Sequence, residues 1–148
     1  KRGDVLTVLV ENMGRTNYGD KMMRKKGIAG RCLIDGKLHF NWQVYTLPMD
    51  NLENLNFDGL DKAKSVFYKG TLYIDQPKDT FVLPQNFTKG FIVVNGFNLG
   101  RFWKVGPQKT LYLPESVLKK GNNEIIVFES DGLTGNPVLE FLDKPILE

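Results

Sequence analysis

Cleaving a glycosidic bond takes two carboxyl groups across the scissile bond, one of them held protonated by its surroundings. The chain carries 17 acidic residues, and most stand in polar, turn-like stretches. Glu11 is the exception, at the end of the apolar run Val5 to Val10. A carboxylate at a strand end more often pairs with an arginine or caps backbone amides than it catalyses. A Ser–His–acid triad would have to use His39, the single histidine, and strand alternation puts it on a polar face. Cys32, the single cysteine, has no histidine beside it in sequence and reads as a buried, inert thiol. One Cys and one His also make neither an internal disulfide nor a zinc ligand set. The glycines between Gly90 and Gly100 do not open a helix after a strand, which argues against a dinucleotide loop. No cofactor and no metal are expected.

Contact chemistry is better represented. Tyr18 lies in a polar loop between Gly14 and Gly19. An aromatic there has a ring to bury and a hydroxyl to bond, so it marks a contact surface, against a neighbouring domain or a ligand. Trp103, in Phe102-Trp103-Lys104, reads as core or interface before it reads as a sugar platform. The basic run Lys21 to Lys26 could touch phosphates, but one basic loop without interleaved aromatics reads as a solvated connection. Asn86-Phe87-Thr88 fits a glycan acceptor triplet, a pattern that also arises by chance.

The elements that must position these residues are strands. The dominant hydrophobic period is two. Val5 to Val10 is apolar on both faces, as a covered strand would be. Gly27 to Ile34 and the segment after Asp35-Gly36 read as a hairpin, with Leu38, Phe40, Trp42 and Val44 sharing one face. Pattern dissolves from Leu47 to Ala63, which reads as a connection. Strands resume at Val66 to Ile74, with Tyr68, Leu72 and Ile74 on one face. Phe81 to Leu83 follows and is expected to end at Pro84, which cannot donate to a central ladder. Phe91 to Val94 runs into Asn95-Gly96, a second hairpin signal, with Leu99, Arg101 and Trp103 on the return strand. Thr110 to Leu113, Ile125 to Phe128 and Val138 to Leu142 complete the set. One helical turn is expected at Glu115 to Lys120, stopped by Gly121. Short strands in this number predict an all-β fold, a jelly-roll β-sandwich.

Length and composition agree. The 148 residues are 41% hydrophobic and 25% charged, which suits a globular domain. They are too few for a (β/α)₈ barrel of about 250 residues. No stretch approaches the ~20 apolar residues of a membrane span. The net charge of +3 is mild and does not by itself imply a nucleic-acid partner, and none is expected. Because the apolar run begins at Val5, the chain is expected to be a piece of something larger.

Two segments carry a family resemblance. Leu9-Val10-Glu11-Asn12-Met13-Gly14-Arg15-Thr16-Asn17-Tyr18-Gly19 resembles a segment of glycoside hydrolase family 35 β-galactosidases. Lys89 to Trp103, with its Val94-Asn95-Gly96-Phe97-Asn98-Leu99-Gly100-Arg101 centre, is similar to a C-terminal segment of the same family. Gly106 to Pro114 and Asn123 to Glu129 follow in family order. Thr16 and Phe102 are small departures. The resemblance implies a parent with a catalytic (β/α)₈ barrel followed by β-domains, of which this chain would be the last stretch. Residues 1–49 would end a preceding β-domain or supply the first strands of the same sandwich; 50–148 would be a galactose-binding-like sandwich. It implies a non-catalytic region that packs on the barrel, with Tyr18 at the rim of a β-galactoside pocket and Arg15 and Asn17 shaping its loop. The name galactose-binding-like describes a shape and guarantees no sugar site. The rival reading is an independent carbohydrate-binding module using Trp103 or Phe97. If residues 1–49 lack their cover, the chain is expected to pair with a copy of itself or to expose an apolar patch.

Overall fold

The computed structural model describes residues 3–12, 18–59 and 65–147. The chain divides into two compact units, Lys1–Asp50 and Asn51–Glu148.

The second unit is an antiparallel β-sandwich. One sheet has the order β3-β8-β5-β6, formed by Val66–Ile74, Gly121–Glu129, Lys89–Val94 and Phe97–Trp103. The other has the order β7-β4-β9, formed by Leu111–Leu113, Thr80–Gln85 and Val138–Leu142. Inward-facing residues of both sheets meet in one core: Ile92, Val94, Phe102, Ile125 and Val127 against Val82, Leu111 and Leu113. Phe87 closes one end, edge-on to Tyr68 and Phe102. Tyr68 and Leu72 pack on this core from β3, on the face that alternation assigns them.

The β5–β6 hairpin turns on Asn95 and Gly96, with φ of 49° and 81°. Both residues take the left-handed region that a type I′ turn requires. Gly90 answers to a different constraint. A Cβ there would stand 1.6 Å from the Phe128 carbonyl oxygen, so only glycine lets β5 lie this close to β8.

Three expectations for this unit need correction. Pro84 does not end its strand; it pairs with Leu139. The β7 partner reaches only to Val82, so at Pro84 the strand has a free side and needs no donor there. The turn expected over Glu115 to Lys120 is a single 3₁₀ turn, Glu115–Val117. Leu118 is already extended, and the backbone of Lys119 is tied at both its N–H and its C=O to the Asn123 side chain. The acidic residues are not all in open, turn-like settings. Glu129 is fully buried at the end of β8. Its carboxylate accepts from the amides of Thr88 (2.7 Å), Asp131 (2.8 Å) and Gly132 (3.0 Å), and from the Thr88 hydroxyl.

The first unit departs further from expectation. Its described residues hold one ladder, Leu33–Ile34 (β1) with Lys37–Leu38 (β2), across the Asp35-Gly36 turn. Gly27 to Cys32 and Val5 to Val10 carry no ladder, and Gly27 and Gly30 are bends. A strand exists only where a neighbour takes its backbone hydrogen bonds, and sequence pattern alone does not supply one. The alternation after Leu38 also fails. Asn41 has a φ of 61°, which interrupts the two-residue period. Leu38, Phe40, Trp42 and Val44 are all exposed, as are Val5, Leu6, Val8, Leu9 and Val10.

Glu129→Ala leaves several buried N–H groups without an acceptor, each worth about 1–3 kcal/mol. Urea unfolding of the variant should show a loss of at least about 3 kcal/mol. Gly90→Ala, which collides with backbone, should cost more than about 4 kcal/mol and leave no cooperative transition. An unchanged midpoint for either would contradict the packing described.

Candidate functional site

Tyr18 lies just before a 3₁₀ turn, Asp20–Met23, whose entry is Gly19 at φ 84°. Its side chain is 88% exposed, so the ring has its full area available to a partner. Arg15 and Asn17 lie outside the described residues. Lys21, Met22 and Met23 lie in the 3₁₀ turn, which ends at an extended Arg24, and Arg24 to Lys26 are exposed. Glu11 is exposed. His39 is exposed, its amide donating to the Cys32 carbonyl at 3.1 Å and its carbonyl accepting from the Trp42 indole at 3.1 Å. Cys32 is half-buried rather than buried, a correction that follows from the missing strand cover. No cluster of metal-ligating side chains occurs among the described residues.

Trp103 ends β6, opposite Lys89 of β5. It is 36% exposed, and the Arg101 guanidinium sits over its ring at 5.5 Å. The pair is a cation–π contact of the usual geometry. Phe97, at the other end of β6, is exposed. The two aromatics stand at opposite ends of the strand and form no common surface. Asn86 uses its amide nitrogen, the atom a glycan would occupy, to donate to the Asn136 carbonyl at 2.7 Å. The Thr88 hydroxyl of the same triplet is committed to the buried Glu129.

A groove that the sequence did not reveal opens at the edge of the β7-β4-β9 sheet. Pro77, Asp79, Tyr112, Pro114, Glu115, Ser116 and Leu118 line about 600 Å³. The β4–β7 register creates it. Phe81 pairs with Tyr112 and Thr80 with Leu113, which brings the turn before β4 beside the segment after β7. Leu111 and Leu113 point into the core, so Tyr112 must point out. Its ring packs on Phe81 at 5.5 Å. The Asp79 carboxylate lies near its hydroxyl. Asp79 Oδ1 accepts the Glu115 amide at 2.7 Å. The hydrogen bond to Asp79, then burial, then the carboxylate's charge raise the Tyr112 pKa above its ordinary 10.0. Tyr68 is raised too, by burial first and then by the Glu129 charge.

The fold defines the class: an all-β, galactose-binding-like sandwich joined to a small β unit. Residues 65–123 match the family model for the β-galactosidase galactose-binding domain, and residues 1–48 that for the first all-β domain of β-galactosidase. The chain is 40% identical over 153 aligned positions to human β-galactosidase-1-like protein 2, covering 97% of itself and 24% of that relative. It is 35% identical to β-galactosidase 1 of Dictyostelium discoideum, covering 97% of itself and 23% of the relative. It is 36% identical to the β-galactosidase of Bos taurus, covering 99% of itself and 27% of the relative. The chain belongs to the β-galactosidase family, of the glycoside hydrolase family 35 type, and corresponds to its C-terminal β-domains. It spans about a quarter of the length of the curated relatives it matches.

Asp79→Asn removes the charge near the Tyr112 hydroxyl. The raised pKa means that the folded chain holds this proton more tightly than the unfolded chain does. Its stabilising contribution is complete below the ordinary value of 10.0 and is lost as pH rises above it. Phenolate absorbance across alkaline pH, differenced against Tyr112→Phe, should show Tyr112 ionising at lower pH in Asp79→Asn. An unmoved titration would break the assigned contact.

Proposed function

We propose that this chain is a non-catalytic part of a β-galactosidase that packs on the catalytic barrel and shapes the rim of its substrate pocket. Residues 1–49 act as the end of one β-domain and 50–148 as the galactose-binding-like sandwich. The parent reaction is retaining hydrolysis of a terminal β-linked galactose through a glycosyl-enzyme intermediate. The barrel supplies both carboxylates of that chemistry. This chain supplies buried surface and loop residues.

The observation that carries the reading is the uncovered apolar surface of the first unit. Val5, Leu6, Val8, Leu9, Val10, Phe40 and Val44 are all exposed. A surface this apolar needs a protein partner, because single domains rarely leave so large a patch to water. The parent chain is the partner with the right chemistry, since its own β-strands would provide the ladders that Val5 to Val10 lack. Tyr18 belongs to the same unit, and the family resemblance implies that it reaches the pocket mouth, with Arg15 and Asn17 before it in sequence. The resemblance, not the geometry, brings a β-galactoside to Tyr18. A self-standing carbohydrate module at Trp103 is less favoured, because a sugar there would have to displace Arg101 from the ring.

In the full-length enzyme, Tyr18→Ala should raise KM for a β-galactoside or lower kcat by about tenfold, corresponding to ~1.4 kcal/mol of transition-state contact. Steady-state kinetics on an aryl β-galactoside read this directly, and unchanged constants would remove Tyr18 from the rim. The isolated 148-residue chain should bind a hydrophobic dye and sediment as more than a monomer at micromolar concentration. A dye-silent monomer would argue against an uncovered interface.

A further inference from the structure

We propose that Asn95 is a modification site gated by unfolding: its side-chain amide is lost by spontaneous deamidation when the β5–β6 hairpin opens, and the product marks the chain as one that has opened. The inference rests on neither the pocket rim nor Tyr18. Asn95-Gly96 is the sole Asn-Gly pair in the sequence. With no side chain on Gly96, its backbone nitrogen reaches the Asn95 side-chain carbonyl carbon freely once the turn is lost. The nitrogen gives up its proton and attacks Cγ, the Cγ–Nδ2 bond breaks, and ammonia leaves with that proton as a cyclic imide closes. Water then opens the imide at either carbonyl. One product is aspartate. The other is isoaspartate, in which the main chain runs through the former side chain.

In the folded chain the same side chain is tied through both of its polar atoms. Nδ2 donates to the Val117 carbonyl at 2.8 Å and to Asn123 Oδ1 at 2.7 Å. Oδ1 accepts the Glu124 amide at 3.1 Å, and the Asn95 amide donates to the Glu124 carbonyl at 2.9 Å. Asn123, which holds Nδ2, is itself fully buried. Attack at Cγ turns the amide plane and releases Nδ2, which breaks these bonds, so ring closure waits for the hairpin to open. The same ties make the product costly. Deamidation puts an oxygen in place of Nδ2, opposite the Val117 carbonyl and Asn123 Oδ1, and an ionised carboxylate only accepts. Two hydrogen bonds thus become two contacts between acceptors. Isoaspartate does more, because it adds a backbone atom to a tight turn whose φ values of 49° and 81° set the pairing of β5 with β6. A chain that has opened and deamidated does not recover the tie between the hairpin and the segment joining β7 to β8.

The test incubates the 148-residue chain at mildly alkaline pH across a guanidinium chloride series and follows the mass of the peptide that carries Asn95. Peptide mapping places the change and separates aspartate from isoaspartate. Deamidation at Asn95 is expected to rise along the unfolding curve and to be at least about tenfold slower in buffer than in denaturant, a factor set by the opening equilibrium. Chains deamidated in denaturant should refold in lower yield than unmodified chains taken through the same steps. Asn95→Asp, which installs one product without the reaction, should unfold at lower denaturant than the parent chain or not fold at all. Three results overturn the proposal: deamidation at Asn95 as fast in buffer as in denaturant, none in denaturant, or an unchanged midpoint for Asn95→Asp. The rate measurement uses the unaltered chain, so it decides the gating even where the variant does not fold.

Discussion

A buried carboxylate without solvent is tolerated only where hydrogen bonds replace its water, and the sandwich is built around one such group. Glu129 ends β8, and the amides it satisfies come from two different stretches, Thr88–Lys89 and Asp131–Gly132. Its position therefore fixes where β5 begins and how the chain leaves β8. At the same end, Gly90 lies against the Phe128 carbonyl with no room for a side chain. Strand register, the entry to β5 and the exit of β8 thus depend on one cluster. Phe87, next to Thr88 in sequence, meets Phe102 edge-on and joins this end to the apolar core.

The other end of β8 is held by an amide instead of a carboxylate. Asn123 is fully buried. Its Oδ1 accepts from Asn95 Nδ2 at 2.7 Å and from the Lys119 amide at 2.9 Å. Its Nδ2 donates to the carbonyls of Lys119 and Gly121. Asn95 in turn donates to the Val117 carbonyl at 2.8 Å. The β5–β6 hairpin is thereby tied to the segment between β7 and β8. That segment carries Glu115, Ser116 and Leu118, which line the groove. A core asparagine of the four-stranded sheet thus sets the position of a surface feature beside the three-stranded one.

What the sequence revealed, and what it hid, divides along local and non-local lines. The Asn95-Gly96 hairpin, β3, β5 and β9 are legible because turn chemistry and two-residue periodicity are written within a few positions. The burial of Glu129 is not, because its partners at Thr88 lie 41 residues away. A clue was present. Glu129 closes the apolar run Ile125 to Phe128 as Glu11 closes Val5 to Val10, yet only Glu11 stood out. The difference is that, among the described residues, one run has ladder partners and the other has none. Pro84 misled for a related reason, since whether a proline has a free side depends on how far the neighbouring strand extends. The Asp79–Tyr112 contact depends on the β4–β7 register, which no local pattern encodes. Trp103 and Phe97 both lie on the predicted strand, but their separation and the placing of Arg101 over Trp103 needed coordinates.

The two units differ in what satisfies their backbones, and this bears on how the chain works. The sandwich closes its own ladders and buries its own polar groups; no buried side-chain polar atom among the described residues lacks a partner. The described part of the first unit carries one two-residue ladder and leaves apolar residues exposed. A segment with few backbone partners opens at low free-energy cost, whereas Tyr112, in a ladder of the sandwich and packed on Phe81, is held by the fold itself.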